Sequence, residues 1–250
     1  MIDNYLFQFN HDLNGIEKPT ELNNPFGTTI PLVAQIAARE FQEFIASEIS
    51  NWEHNFDSDK GKMFGVLVVQ KANKELAFLG TISGKLSGDK QCEKFTPSVF
   101  QDSKDDWYIN KGMKELTQIG NQIELASHSQ KAKLKDIRRQ KSHDLQNWLF
   151  ENYKFSNLSG LEANVIEIFG NSEQGNPPAA AGECAAPKLL AFALANQLKP
   201  IAIAEFWWGN TPKSEERIHK AYYPACKNKC RPILEYILED NTLFNVLNFS

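Results

Sequence analysis

Gly182-Glu183-Cys184-Ala185-Ala186-Pro187, Pro200-Ile201-Ala202-Ile203-Ala204-Glu205-Phe206 and Pro224-Ala225-Cys226-Lys227-Asn228-Lys229-Cys230 read in succession as a helix start, a strand and a second helix start. The first helix runs from Cys184 to about Asn196 and gathers Leu189, Leu190, Ala193 and Leu194 on one face. The second, from Cys226 to about Leu238, gathers Ile233, Leu234, Ile237 and Leu238. Apolar faces of that kind belong to helices packed on a sheet. Upstream, Asn164-Val165-Ile166-Glu167-Ile168-Phe169 reads as a further strand, followed by a Gly/Pro/Ala loop to Gly182. Strand, helix and strand then make an α/β unit, whose right-handed crossover sets successive helices side by side. Cys184, Cys226 and Cys230 are thereby predicted to converge at one sheet edge.

Outward from this unit, residues 1–30 are rich in Asn, Pro and Gly and read as an irregular arm. A helix is expected from Pro31 to about Ile49, with Ile36, Ala37, Phe41, Phe44 and Ile45 as its apolar stripe. Phe64–Val69 and Leu76–Ile82 form a β-hairpin around the polar Lys71–Glu75 connection. Residues 86–111 have no clear period and read as loop. From 111 to 150 the composition turns to Lys, Glu, Gln and Arg around a sparse apolar seam, which predicts a helical hairpin turning at Ser127-His128-Ser129. Four segments follow: an arm, 1–30; the first part of an α/β domain, 31–110; an inserted helical hairpin, 111–150; and the second part of the α/β domain, 151–250, with the cysteine-bearing helices. The fold class expected is α/β, with helices flanking a sheet in three layers.

Hydrophobic residues make up 42% of the 250 and charged residues 23%, enough apolar material to bury a core without disulfide staples. A formal charge of −4 is no whole-chain signature of a nucleic-acid binder, so any such surface must be regional. The N-terminus has neither a basic stretch nor an apolar run of signal-peptide type, and no run is long enough to span a bilayer. A cytoplasmic protein with no membrane partner is expected, its four cysteines reduced or bound to metal.

Thiolates are soft ligands that suit zinc, and a helix N-terminus favours deprotonated sulfur. Cys184, Cys226 and Cys230 are therefore candidate zinc ligands, the fourth position falling to water or to His219, seven residues before Cys226. The competing reading is that the cysteines are small buried hydrophobes. Glu183, beside Cys184, is the candidate catalytic acid–base residue; its alternative role is an acid favoured by the helix dipole. Lys131, Lys133, Lys135, Arg138, Arg139 and Lys141 form a basic run on the second arm of the hairpin, suited to an RNA backbone or to a solvated helix face. Trp207 and Trp208 follow the last strand, where they could stack bases or close one end of the core. No phosphate-cradling Gly loop of the G-x-x-x-x-G-K type and no G-x-S-x-G elbow is present, which argues against nucleoside-triphosphate and serine-hydrolase chemistry.

Two resemblances bear on function. The order hairpin, cysteine helix, strand, cysteine helix resembles the zinc-dependent nucleobase deaminase fold, which implies a deaminase-type sheet and a zinc hydrolase. In that family the proton-shuttling Glu follows its ligand by two residues; here that position is Ala186. Gly61–Leu67, Phe78–Leu86, Gly182–Leu190, Ala204–Gly209 and Tyr223–Cys230 together resemble the long N-terminal extension of some bacterial RluA-like RNA pseudouridine synthases, over about 25–238. That likeness also strengthens His219 as a ligand, since the extension carries a histidine ahead of its Pro-Ala-Cys segment. The synthase's catalytic Asp in an Arg-Leu-Asp context has no counterpart in these residues. The resemblance therefore implies an RNA-binding or accessory module, with a pseudouridine synthase catalytic domain as partner in cis or in trans, and not an isomerase.

Overall fold

The structure, a computed structural model, describes residues 2–57, 60–88, 92–100, 106–212 and 216–238. Parts of the loop read across 86–111, and residues 239–250 of the last segment, lie outside these. Its centre is an antiparallel hairpin, β2 (Lys62–Gln70) and β3 (Leu76–Ile82). The connection closes with Lys71 N–H bonded to Glu75 O at 2.9 Å. Short β1 (Leu6–Phe7) joins β3, and β6 (Lys199–Trp208) joins β2, so the sheet order is β1-β3-β2-β6 with every neighbour antiparallel.

Side chains alternate across this sheet. Phe64, Val66 and Val68 of β2, with Ala204 and Phe206 of β6, face α1 (Leu32–Glu48). Leu67 and Val69, with Ile203, face the opposite way, toward α4 (Val165–Gly170), α5 (Ala185–Ala195) and α6 (Lys227–Leu238). The result is three layers, helix on sheet on helices. At the centre of the α1 side, Phe41 is fully buried among the rings of Phe7, Phe64 and Phe206, with centroids 5.3, 6.1 and 6.3 Å away.

Between β3 and the second half of the sheet the chain runs through α2 (Asp106–Leu125) and α3 (His128–Asn152), an antiparallel pair with Ser127 as capping box to α3. The pair is anchored at the far end of α3, where Phe150 enters the core and the Trp148 ring meets Tyr108 and Phe100. A second, two-stranded sheet, β4 (Lys154–Ser156) with β5 (Glu162–Asn164), follows.

Two expectations are corrected. The stretch Asn164–Phe169 is not a strand: it turns into α4, because Asn164 and Glu167 cap each other reciprocally. Val165, Ile168 and Phe169 then fall at helical spacing and are buried, while Ile166 is 37% exposed. Local capping outweighs the strand preference of β-branched residues here. With that strand gone, no parallel crossover leads into β6 among the described residues, and the two cysteine helices are brought together instead by packing on one face of an antiparallel sheet. Within the arm, Leu6–Phe7 pairs with Phe78–Leu79, so part of it is ordered as an edge strand.

Phe41→Ala is expected to destabilise the fold by about 3–5 kcal/mol, as loss of a fully buried ring does. Equilibrium urea unfolding against the native chain measures it.

Candidate functional site

The α5 helix starts close against the sheet because β2 has a glycine beneath it. A Cβ on Gly65 would lie 2.8 Å from the Ala185 Cβ and 3.1 Å from a Leu189 methyl. Gly65 is paired in register with Glu205 of β6. The bare backbone at 65 thus lets the first turn of α5 settle beside the Glu205 side chain, whose Oε1 accepts the Ala186 N–H at 2.8 Å. That N–H is one of the donors a helix start leaves without an intrahelical partner.

Cys184 is the N-cap of α5. Cys226 stands at the start of α6, its carbonyl accepting the Cys230 N–H at 3.0 Å. Cys230 is buried, Cys184 half-buried and Cys226 exposed. Cys230 belongs to the core on the α5–α6 side of the sheet, and Cys184 packs against that same core. The Cys230 proton shared toward Cys226, together with the backbone N–H groups of Lys229 and Asn228, holds the Cys226 thiol at about 5. Cys230 is pushed well up, by those two neighbouring thiols first and by burial next. Burial raises Glu205 to about 7, against the opposing Ala186 N–H and with help from Cys226. Among the described residues, no group of three or more His, Cys, Asp and Glu side chains is placed to hold a metal ion.

The other candidates are placed elsewhere. His219 turns from the thiols: its Nδ1 accepts the Gly209 N–H at 3.0 Å and its ring packs on Trp208 at 4.5 Å. Glu183 also turns away. Gly182, at φ +91° and with its Cα against the Tyr153 ring, reverses the chain just before it. The Glu183 carboxylate then accepts Ser98 Oγ at 2.7 Å and Tyr153 OH at 2.8 Å, and lies 3.4 Å from the Lys188 ammonium. Burial disfavours its charge, but Lys188, Ser98 and Tyr153 outweigh that and hold the carboxyl below its usual range. Burial pulls Lys188 down, while Glu183 opposes the shift. Lys188 is 3% exposed and donates to Ile82 O and Gly84 O, both at 2.9 Å. Glu183 is thus a strut tying α5 to the end of β3, not a group facing the thiols.

Trp207 and Trp208 are buried, and their faces are already taken. Arg217 lies over Trp207, and Lys220 and His219 lie against Trp208. They close one end of the core, and the base-stacking expectation is corrected accordingly. On α3, Lys133, Lys135, Arg138, Arg139 and Lys141 are exposed and Lys131 is half-buried. Lys141 pairs with Glu115 at 2.6 Å and Arg139 with Asp136 at 3.0 Å. Lys135, Arg138 and Arg139 line an open groove of about 740 Å³ between α2 and α3, with Glu124 and His143.

The residues missed by sequence reasoning are Lys188, Ser98 and Tyr153 around Glu183, and Glu205, buried against the start of α5. Glu205 had a legible signal: it is the one charge in an otherwise apolar run, Ile201 to Trp208. The chain matches no family model, and no curated protein or solved structure is significantly similar to it. Among the described residues, no helix is long and apolar enough to cross a membrane.

Lys188→Met is expected to destabilise by roughly 3–5 kcal/mol, since it strands a carboxylate and two carbonyls in the interior. Because the Glu183 pKa is lowered on folding, its contribution is present at neutral pH and is lost as pH falls through its folded value. Unfolding the variant and the native chain at pH 7 and at pH 4 should show their difference shrinking in acid.

Proposed function

We propose that the chain is an RNA-associated module that works alongside a pseudouridine synthase, holding RNA and not itself isomerising uridine. The observation that carries this reading is the groove in which Lys135, Arg138 and Arg139 align along the exposed half of the α2–α3 hairpin. Three guanidinium and ammonium groups on one helix face, at i, i+3 and i+4, suit successive phosphates of a single strand. The groove lies on an insertion anchored at one end, so RNA could be held there without disturbing the core. The likeness of the quoted segments to the synthase extension supplies the partner.

In this reading the cysteines form a structural zinc centre. The donor types fit: Cys184 caps α5 and Cys226 and Cys230 stand at the start of α6, where thiolate is favoured. Cys184, Cys226 and Cys230 would hold the ion, fastening the starts of α5 and α6 together.

A second reading is favoured by one specific observation, the buried Glu205 carboxyl at the start of the Cys184 helix. The order α1, β2, β3, α5, β6, α6 resembles a deaminase-type core, and a zinc hydrolase acting on a nucleobase or nucleoside would need an acid–base carboxyl at that place. Zinc bound there would supply Lewis-acid activation of water. Glu205 would hold and pass the proton, a role that Glu183 is too firmly engaged to fill.

Binding of a labelled single-stranded RNA, titrated across salt, tests the first reading. Changing Lys135, Arg138 and Arg139 together to Gln should lower the slope of log affinity against log salt by about 2, at ~0.7 per phosphate contact. Absence of binding at low salt, alone and with a synthase, would sink it. For the second reading, zinc-loaded protein is offered a panel of amino-bearing nucleosides and single-stranded oligonucleotides. Ammonia release lost in Glu205→Gln is the expected result, and no release from any of them overturns the hydrolase.

A further inference from the structure

We infer that the groove between α2 and α3 selects single-stranded RNA that carries guanine, with Glu124 reading the base while Lys135 and Arg138 hold the phosphate beside it. This rests on the RNA reading above and deepens it, adding the base to the backbone. Gly120 and Glu124 stand on the α2 side of the groove, about one turn apart, and Lys135 and Arg138 stand on the α3 side. Glu124, Lys135 and Arg138 are exposed.

The groove exists because the two helices touch at one end and part further along. A Cβ on Gly112 would lie 2.6 Å from a Leu145 methyl, so α2 and α3 are in contact there, and Lys141 of α3 reaches Glu115 of α2 at 2.6 Å just beyond. At Gly120 a Cβ would meet nothing within 4 Å, and the space between the helices is the open groove of about 740 Å³. Bare backbone at Gly120 beside the half-buried Ile123 makes a partly apolar floor. An unpaired base can lay its face there and remove that surface from water.

Charge sets what fits. Neighbouring cations on α3 that can reach a carboxylate are joined to one, Lys141 to Glu115 and Arg139 to Asp136 at 3.0 Å. Across the groove the charges stay apart. Among the described residues, the side chains of Glu124, Lys135 and Arg138 make no hydrogen bond or ion pair, although all three line the same space. The complement of such a groove bears an anion along one edge and hydrogen-bond donors along the other, which is the make-up of a nucleotide. An ionised carboxylate accepts through both oxygens and donates through neither. Among the RNA bases, guanine presents two adjacent donors on its Watson–Crick edge, N1–H and the N2 amino group. Uracil offers one N–H between two carbonyls, and in cytosine and adenine an acceptor sits beside the amino group. That edge is open to a side chain only in an unpaired base. Phosphate falls to the α3 side, where Lys135 and Arg138 supply charge without base preference.

Fluorescence anisotropy of the full chain with short U-rich single-stranded RNAs, differing only in the base at one central position, is the test. Guanosine is expected to bind about tenfold tighter than uridine, the discrimination of one bidentate contact, and inosine, which lacks the N2 amino group, to fall between them. Glu124→Ala should bring the guanosine and uridine probes to within about twofold of each other and leave the slope of log affinity against log salt unchanged, since Glu124 holds no phosphate. Annealing the complementary strand should erase the preference as well. Equal binding of the guanosine and uridine probes by the native chain would overturn the proposal, as would a preference that survives in Glu124→Ala. Absence of binding to every probe at low salt would overturn the RNA reading itself, a result distinct from either of those.

Discussion

The hydrogen bond from Ala186 N–H to Glu205 Oε1, made over the missing side chain of Gly65, is the contact on which the candidate site depends. It joins the first turn of α5 to the middle of β6. Without it, one helix-start donor and one carboxylate would both be buried and unpaired. Because Cys184 is the cap of that same turn, its position is fixed by the bond as well. Placing α6 against α5 then sets Cys230 and Cys184 in the same core, with Cys226 just before the start of α6. A side chain at 65 would lift α5 from the sheet and separate all of these at once.

What the sequence made legible follows from periodicity. The β2–β3 hairpin, α1, the helical pair α2–α3, β6 and the two cysteine helices each carry a pattern of 2 or 3.6 residues longer than the element's frayed ends. Asn164–Phe169 was not legible in that way. Six apolar-rich residues satisfy both periods, and the decision lay in two polar side chains, Asn164 and Glu167, that close a capping box. The neighbouring of the two cysteine helices was legible only in outcome: among the described residues the expected parallel crossover is absent, and an antiparallel sheet with both helices on one face sets them side by side instead.

The polar part of the site was harder to read because its partners come from distant segments. Ser98, Tyr153 and Lys188 reach Glu183 from a loop, from the end of α3 and from α5. Lys188 looks in the sequence like a solvent-facing helix residue. It is buried because the end of β3 presents two carbonyls that lack strand partners, and an ammonium with three donors answers both of these and Glu183. His219 shows the opposite failing, since spacing to Cys226 says nothing of which way a loop histidine faces.

Glu183 and Glu205 show how environment, not residue type, divides the work. Both carboxyls are adjacent to the α5 start, and burial acts against the charge of each. Glu183 has a cation and two hydroxyl donors in contact, so its charged form wins and it serves as a fixed strut. Glu205 has a single backbone N–H as hydrogen-bond donor, and burial outweighs both that bond and Arg217, so its carboxyl is pushed up to about 7. A carboxyl in that state is poised to carry a proton. Asn23 and Pro25 close over that carboxyl, leaving about 10 Å³ of room beside it, so the two carboxyls differ in access as well as in partners.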